Sequence, residues 1–179
     1  MYWEVNEMGR HDTVTTVKIR KLCQYYAIDQ DELKKRTKKI LSVYSDLVTM
    51  TAEDALAREG KHIEKDPVKA VEKLEGITSK TNESEVFDIL RMYFERDWFI
   101  EIVDTAMCMV KEFKHDGDLY FDIISKIYLS NWKYTENEML DELRLDRSRF
   151  YDRKREAILL FGVFFWFKAL PLTKKYATD

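Results

Sequence analysis

Glycine and proline are scarce in this 179-residue chain, at five and two residues. Turn-rich sandwiches and barrels depend on both, so a β architecture is disfavoured. Cysteine is limited to Cys23 and Cys108, which lie far apart in apolar surroundings. Neither has a Cys-x-x-Cys or Cys-His neighbourhood, which excludes a disulfide scaffold or a zinc ribbon; both are expected to be buried thiols in a reducing compartment. No Gly-rich phosphate loop, no Gly-x-Ser-x-Gly and no Ser/His/Asp arrangement can be placed, which disfavours a hydrolase or a nucleotide-binding enzyme. No apolar run approaches the ~20 residues of a membrane span, and the N-terminus lacks a signal-peptide pattern, so a cytoplasmic location and no membrane partner are expected. A basic excess is also missing. The net charge is −3, so any contact with nucleic acid would need a local patch.

What is present is helical periodicity. The chain is 45% hydrophobic and 35% charged, enough for a packed core. Residues 1–11 are a poorly patterned arm in which Tyr2 and Trp3 can dock on the body. A first helix is expected from Asp12 or Thr13 to Ala27. Asp29, with Glu32 three residues on, reads as the N-cap of a long helix reaching Arg58 and stopped by Gly60. That helix carries the basic run Lys34-Lys35-Arg36-Thr37-Lys38-Lys39, read mainly as a solvated face and secondarily as a phosphate-binding surface. A short helix follows, with Pro67 at its first position after Asp66 and Gly76 past its end. Residues 77–83 are polar and aperiodic, the best linker, which places a boundary between an N-terminal helical region, 1–82, and a second region, 83–179. The latter opens with a long helix from Ser84 to Lys114, ended by His115, Asp116 and Gly117, with Gly117 as the left-handed cap.

The stretch from Asp118 to Pro171 is the most informative. A helix from Leu119 to Leu129 precedes a short one opened by the capping-box pair Thr135 and Glu138. After Arg144, Leu145 and Asp146 a long helix begins, with Asp146 as its N-cap. A short helix, a tight turn and a second helix with a basic start is the outline of a helix-turn-helix, whose second helix enters the DNA major groove. At 100° per residue, Phe150, Ala157 and Phe161 face inward. Arg147, Ser148, Arg149, Tyr151, Asp152 and Arg155 are the candidates for base edges. Arg153, Lys154 and Lys133 are the candidates for phosphates. Glu136, Glu138, Asp141 and Glu142 would then have to lie on the far side. The C-terminal helix is apolar all round beyond Ile158, so its faces need the N-terminal helices or a second copy of the chain, and a homodimer is expected.

The residues Tyr128-Leu129, Leu140, Leu143 through Tyr151, Lys154, Glu156-Ala157-Ile158 and Trp166 resemble the C-terminal part of the ArpU/RinA-like phage transcriptional regulators. The resemblance covers about the last third of the chain. It implies an all-α protein with a C-terminal helix-turn-helix similar to sigma-factor region 4, and sequence-specific binding of double-stranded DNA in phage or prophage transcription control, with no cofactor. Such turns commonly carry Gly where this chain has Arg144. An alternative reading is a helical protein–protein adaptor, with RNA polymerase as a partner. A third is a di-metal helical-bundle enzyme built on Glu59/His62 and Glu112/His115.

Overall fold

The computed structural model describes residues 12–48, 66–93 and 96–176, and among them every regular element is helical. The elements are α1 (Val14–Tyr25), α2 (Gln30–Val48), α3 (Pro67–Glu75), α4 (Glu83–Tyr93), α5 (Arg96–Lys111), α6 (Gly117–Ile124), α7 (Glu136–Leu143), α8 (Arg147–Phe164) and α9 (Leu170–Tyr176). A π-helical turn, Ser125–Leu129, continues α6, and another, Phe165–Ala169, joins α8 to α9. The protein is an all-α helical bundle. The expected arm 1–11, the reach of the second helix to Arg58, its stop at Gly60 and the Glu59/His62 pair lie outside the described residues. So do residues 94–95, between α4 and α5, where one helix was expected.

Capping chemistry sets most of the helix starts. Thr13 accepts from the Thr16 N–H at 3.0 Å, Asp66 from Val68 at 3.0 Å with Pro67 at the first position, and Asp146 from Arg149 at 2.9 Å. Each satisfies an amide that the helix itself leaves open. Asn82 and Glu85 bond each other's backbone N–H at the start of α4, a reciprocal cap. Asp29 caps α2 through the Asp31 and Glu32 amides, but Glu32 does not reach back; its carboxylate accepts from Ser79 N–H at 2.6 Å.

The polar segment 77–83, expected as a linker, is docked on α2 instead. Ile77 is fully buried, and the Lys39 ammonium donates to the Ser79 and Thr81 carbonyls. Residues on both sides of the expected boundary after residue 82 feed one buried cluster, from Ile19, Leu33 and Ile40 through Leu74, Leu90 and Phe99 to Phe161 and Phe165. Each large apolar side chain buried this way contributes about 1.5–3 kcal/mol relative to exposure.

Helix α8 is the axis of the bundle, with α1, α2, α5 and α6 packed around it. Its first three residues are exposed, Phe150 is buried, Asp152 to Lys154 are half-buried, and from Glu156 to Val163 every residue is buried. Arg147–Tyr176 runs on as a 30-residue helical stretch, long and apolar enough by composition to cross a membrane. That corrects the expectation that no segment comes near such a span. Two-thirds of its most apolar window is buried inside the protein, as in a core helix. The aromatic side chains that motivated a dimer, Phe161, Phe165 and Trp166, are covered by the chain's own helices.

Two further expectations are corrected. Cys108 is exposed on α5, while Cys23 is buried. The left-handed residue ahead of α6 is Asp116, at φ 58°, not Gly117. Gly117 is needed for a different reason: a Cβ there would lie 2.5 Å from the Lys111 carbonyl oxygen and 2.8 Å from that of Val110.

Candidate nucleic-acid interface

The short helix α7 is fixed at its start by a capping box. Thr135 N–H donates to Glu138 Oε2 at 2.7 Å, and Glu138 N–H to Thr135 Oγ1 at 3.3 Å. It ends on Arg144, held left-handed at φ 53°, ψ 42°. Leu145 N–H donates back to the Leu140 carbonyl and Arg144 N–H to that of Asp141, the bonding of a Schellman ending. With glycine so rare in the chain, non-glycine residues take the left-handed positions at Ala27, Asp116 and Arg144. Asp146 then caps α8. Phe150, Ala157 and Phe161 face inward as expected.

The tip of α8 is open. Arg147, Ser148, Arg149 and Tyr151 are exposed, with the Arg147 and Arg149 side chains 69% and 76% accessible. Arg149 lies 3.3 Å from Asp146, a weak surface pair. Arg147 Nε sits 2.7 Å from Glu136 Oε1, and the Tyr151 hydroxyl donates to Glu136 Oε2 at 2.7 Å. DNA binding requires Glu136 on the far side with the other acids; it is on the tip side. Two of the other three acids are tied elsewhere. Glu138 is committed to Thr135, and Glu142 to Lys126 at 2.6 Å.

Asp152 and Arg155 sit one turn further along. Together with Asp12, Thr13, Thr16 and Gln30 they line a cleft of about 170 Å³ between α8 and the N-terminal helices. Arg155 remains exposed there. Lys154 is half-buried beside α2; burial, and then the nearby Lys38 charge, pulls its ammonium below the usual lysine value. Lys133 is exposed in the segment ahead of α7, next to Trp132.

Arg153 is not placed for a phosphate. It donates to Glu156 Oε2 at 2.7 Å, lies 3.9 Å from Asp116, and is only 24% exposed. Glu156 itself is buried. It accepts from the hydroxyls of Thr13 and of Thr16 (2.6 Å) on Oε1, and from Tyr120 (2.9 Å) and Arg153 on Oε2. Burial alone would push this carboxyl up, but the bonds from Thr13, Thr16, Arg153 and Tyr120 outweigh it and hold it below the usual carboxylate range. The knot ties α1 and α6 to α8 just behind the tip. No sequence signal marks it, because its donors come from three separate helices.

The basic run on α2 is largely structural. Arg36 stacks its guanidinium over Trp166 at 4.3 Å, Thr37 is buried and accepts from Trp166 Nε1 at 3.2 Å, and Lys39 holds the 79–81 carbonyls. Lys35 and Lys38 are the exposed members. Among the described residues no group of three or more His, Cys, Asp or Glu is placed to hold a metal. Glu112 and His115 fall in the turn beyond α5, off any shared helical face. No family model, curated protein or solved structure matches the chain.

Proposed function

We propose that the protein is a sequence-specific DNA-binding transcriptional regulator of phage or prophage type. In this reading α7, the turn 144–146 and α8 form a helix-turn-helix, and the start of α8 enters the major groove. The observation that carries it is the free tip: Arg147, Ser148 and Arg149 stand exposed at a capped helix start, while the same helix is buried in the bundle from Glu156 onward. A reading helix must be anchored at one end and open at the other, and α8 is both. Arg147, Ser148, Arg149 and Tyr151 are the base-edge set, with Asp152 and Arg155 at its margin. Lys154 and Lys133 serve the phosphates, and Arg153 leaves that list for the interior. The resemblance of residues 128–166 to the ArpU/RinA-like regulators supports the same reading.

A helical protein–protein adaptor is the second reading: Glu136 beside Arg147 and Tyr151 on the exposed face of α8 favours it, whereas Glu138 and Glu142 are tied to Thr135 and Lys126. Selection of bound sequences from random duplex DNA tests the proposal. A recurrent motif is the expected result, and no enrichment over many rounds at moderate salt would refute it.

A further inference from the structure

We infer that Glu136 is a positioning residue for base reading: it presets Arg147 and Tyr151 and so raises discrimination between the operator and other DNA. The inference rests on the DNA-binding reading above and adds a specificity determinant to it.

Three observations converge on this carboxylate. First, both of its oxygens go to the tip of α8, Oε1 to Arg147 Nε and Oε2 to the Tyr151 hydroxyl, each at 2.7 Å. The two targets are one helical turn apart, so one acid on the supporting helix sets two neighbouring side chains on the reading helix. Second, Oε1 is closed to solvent and receives no aligned hydrogen bond, so its contact with Arg147 is ionic. This contact orients the guanidinium by charge without using up its directed donors. Third, Glu136 approaches through Nε, and the Nη nitrogens remain to fork the two acceptors of a guanine.

The charge also acts in the opposite sense on non-specific DNA. Loose association rests on phosphate neutralisation by mobile cations. Glu136 cancels part of the Arg147 charge and places a fixed negative group beside the groove-facing tip. A site that supplies a base contact for the fork recovers this loss, and a random site does not. Specificity then arises from a repulsive element together with an attractive one.

The test is Glu136→Gln in the full chain, measured against the selected operator and against an unrelated duplex of equal length, with a melting curve confirming the fold. Glutamine keeps the size and leaves the Thr135–Glu138 cap intact. Non-specific binding should tighten roughly fivefold to tenfold at 0.1 M salt, with a salt slope steeper by about 0.9. Operator binding should not gain in step, so the ratio of the two falls. In an Arg147→Ala background the same change should lower the ratio less, leaving only the part carried through Tyr151. If Glu136→Gln shifts operator and unrelated DNA by one common factor, Glu136 is merely a surface charge and the inference fails while the DNA reading stands. If the unaltered protein selects no sequence at all, the DNA reading fails and takes this inference with it.

Discussion

The phenol of Tyr120 on α6 donates to the carboxylate of Glu156 on α8 at 2.9 Å, inside the bundle. This bond joins two helices that also meet through the Arg153–Asp116 pair and apolar contacts, and Thr13, Thr16 and Arg153 complete the acceptor's shell. Removing the acid strands several donors at once, including the half-buried Arg153 charge. Glu156→Ala should therefore cost about 3–5 kcal/mol, the range for losing one partner of a buried ion pair. Tyr120→Phe removes one bond to a charged acceptor and should cost about 1.5–3 kcal/mol. Urea unfolding of the two variants against the parent measures both.

The same group gives a pH signature. Burial raises the Glu156 carboxyl and its four bonds bring it below the ordinary value. A depressed folded-state value means that the unfolded chain binds the proton more tightly. The stabilisation is then complete above the ordinary carboxylate value of about 4.3 and fades as pH falls through the lower folded value. Glu32 shifts in the same direction: burial raises it, and Ser79, Arg36 and Lys35 lower it further. The stability gap between the parent and Glu156→Gln should be constant from neutral pH to about 5 and narrow below about 4. Denaturation midpoints collected across that range check the sign.

Glycine-to-alanine changes inside helices ordinarily add about 0.5–1 kcal/mol. At Gly162 the opposite is expected. A Cβ there would collide with Thr37 Oγ1 and press on Leu33 Cδ1 at 3.1 Å, and Thr37 is held by Trp166. Gly162→Ala should lose about 1–3 kcal/mol through overpacking of α8 on α2. Gly117→Ala should lose at least as much, because the obstructing atoms are backbone carbonyls of α5. Melting temperatures of both variants decide the matter.

The sequence signals that proved legible are local ones. Thr135 with Glu138, Asp66 with Pro67, and Asp146 before an Arg-rich turn each define a helix start within a few residues, and the scarcity of glycine and proline already spoke for helices. Contacts between polar residues of different helices carry no such signal. Arg153 looked like a phosphate ligand because its partner Glu156 reads as one more helix-surface acid until α1 and α6 close over it. Lys39 looked solvated because its acceptors are backbone carbonyls some 40 residues away, which no side-chain pattern records. The side on which Glu136 lies is not legible, because the placement of α7 against α8, which brings it to Arg147 and Tyr151, is set by tertiary packing.

Arg144 offers a test of the turn. It sits left-handed at φ 53°, where a side chain costs about 1 kcal/mol relative to glycine. Glycine relieves that strain but loosens the unfolded chain, so part of the gain is lost. Arg144→Gly should raise the melting temperature by about 1–2 °C. Arg144→Val, with a branched Cβ in the same conformation, should lower it. If both changes lower stability equally, the left-handed turn is wrong.

The sharpest separation of roles lies within two turns of α8. Arg149 is open and weakly held by Asp146, so it is free to fork a base. Arg149→Ala should cost about 1–3 kcal/mol on the selected operator and relax preference at one position of the site. Lys154 lies against the body beside Lys38, suited to a backbone phosphate. Lys154→Ala should weaken all duplexes alike and reduce the salt slope by about 1. Arg153 lies between them in sequence but is bound to Glu156. Arg153→Ala should lower stability while leaving the affinity of the folded fraction unchanged. Titrations on operator and random duplex at two salt concentrations distinguish these patterns. Equal, sequence-blind losses at Arg149 and Lys154 would mean that the tip senses only charge, and base reading by α8 would have to be abandoned.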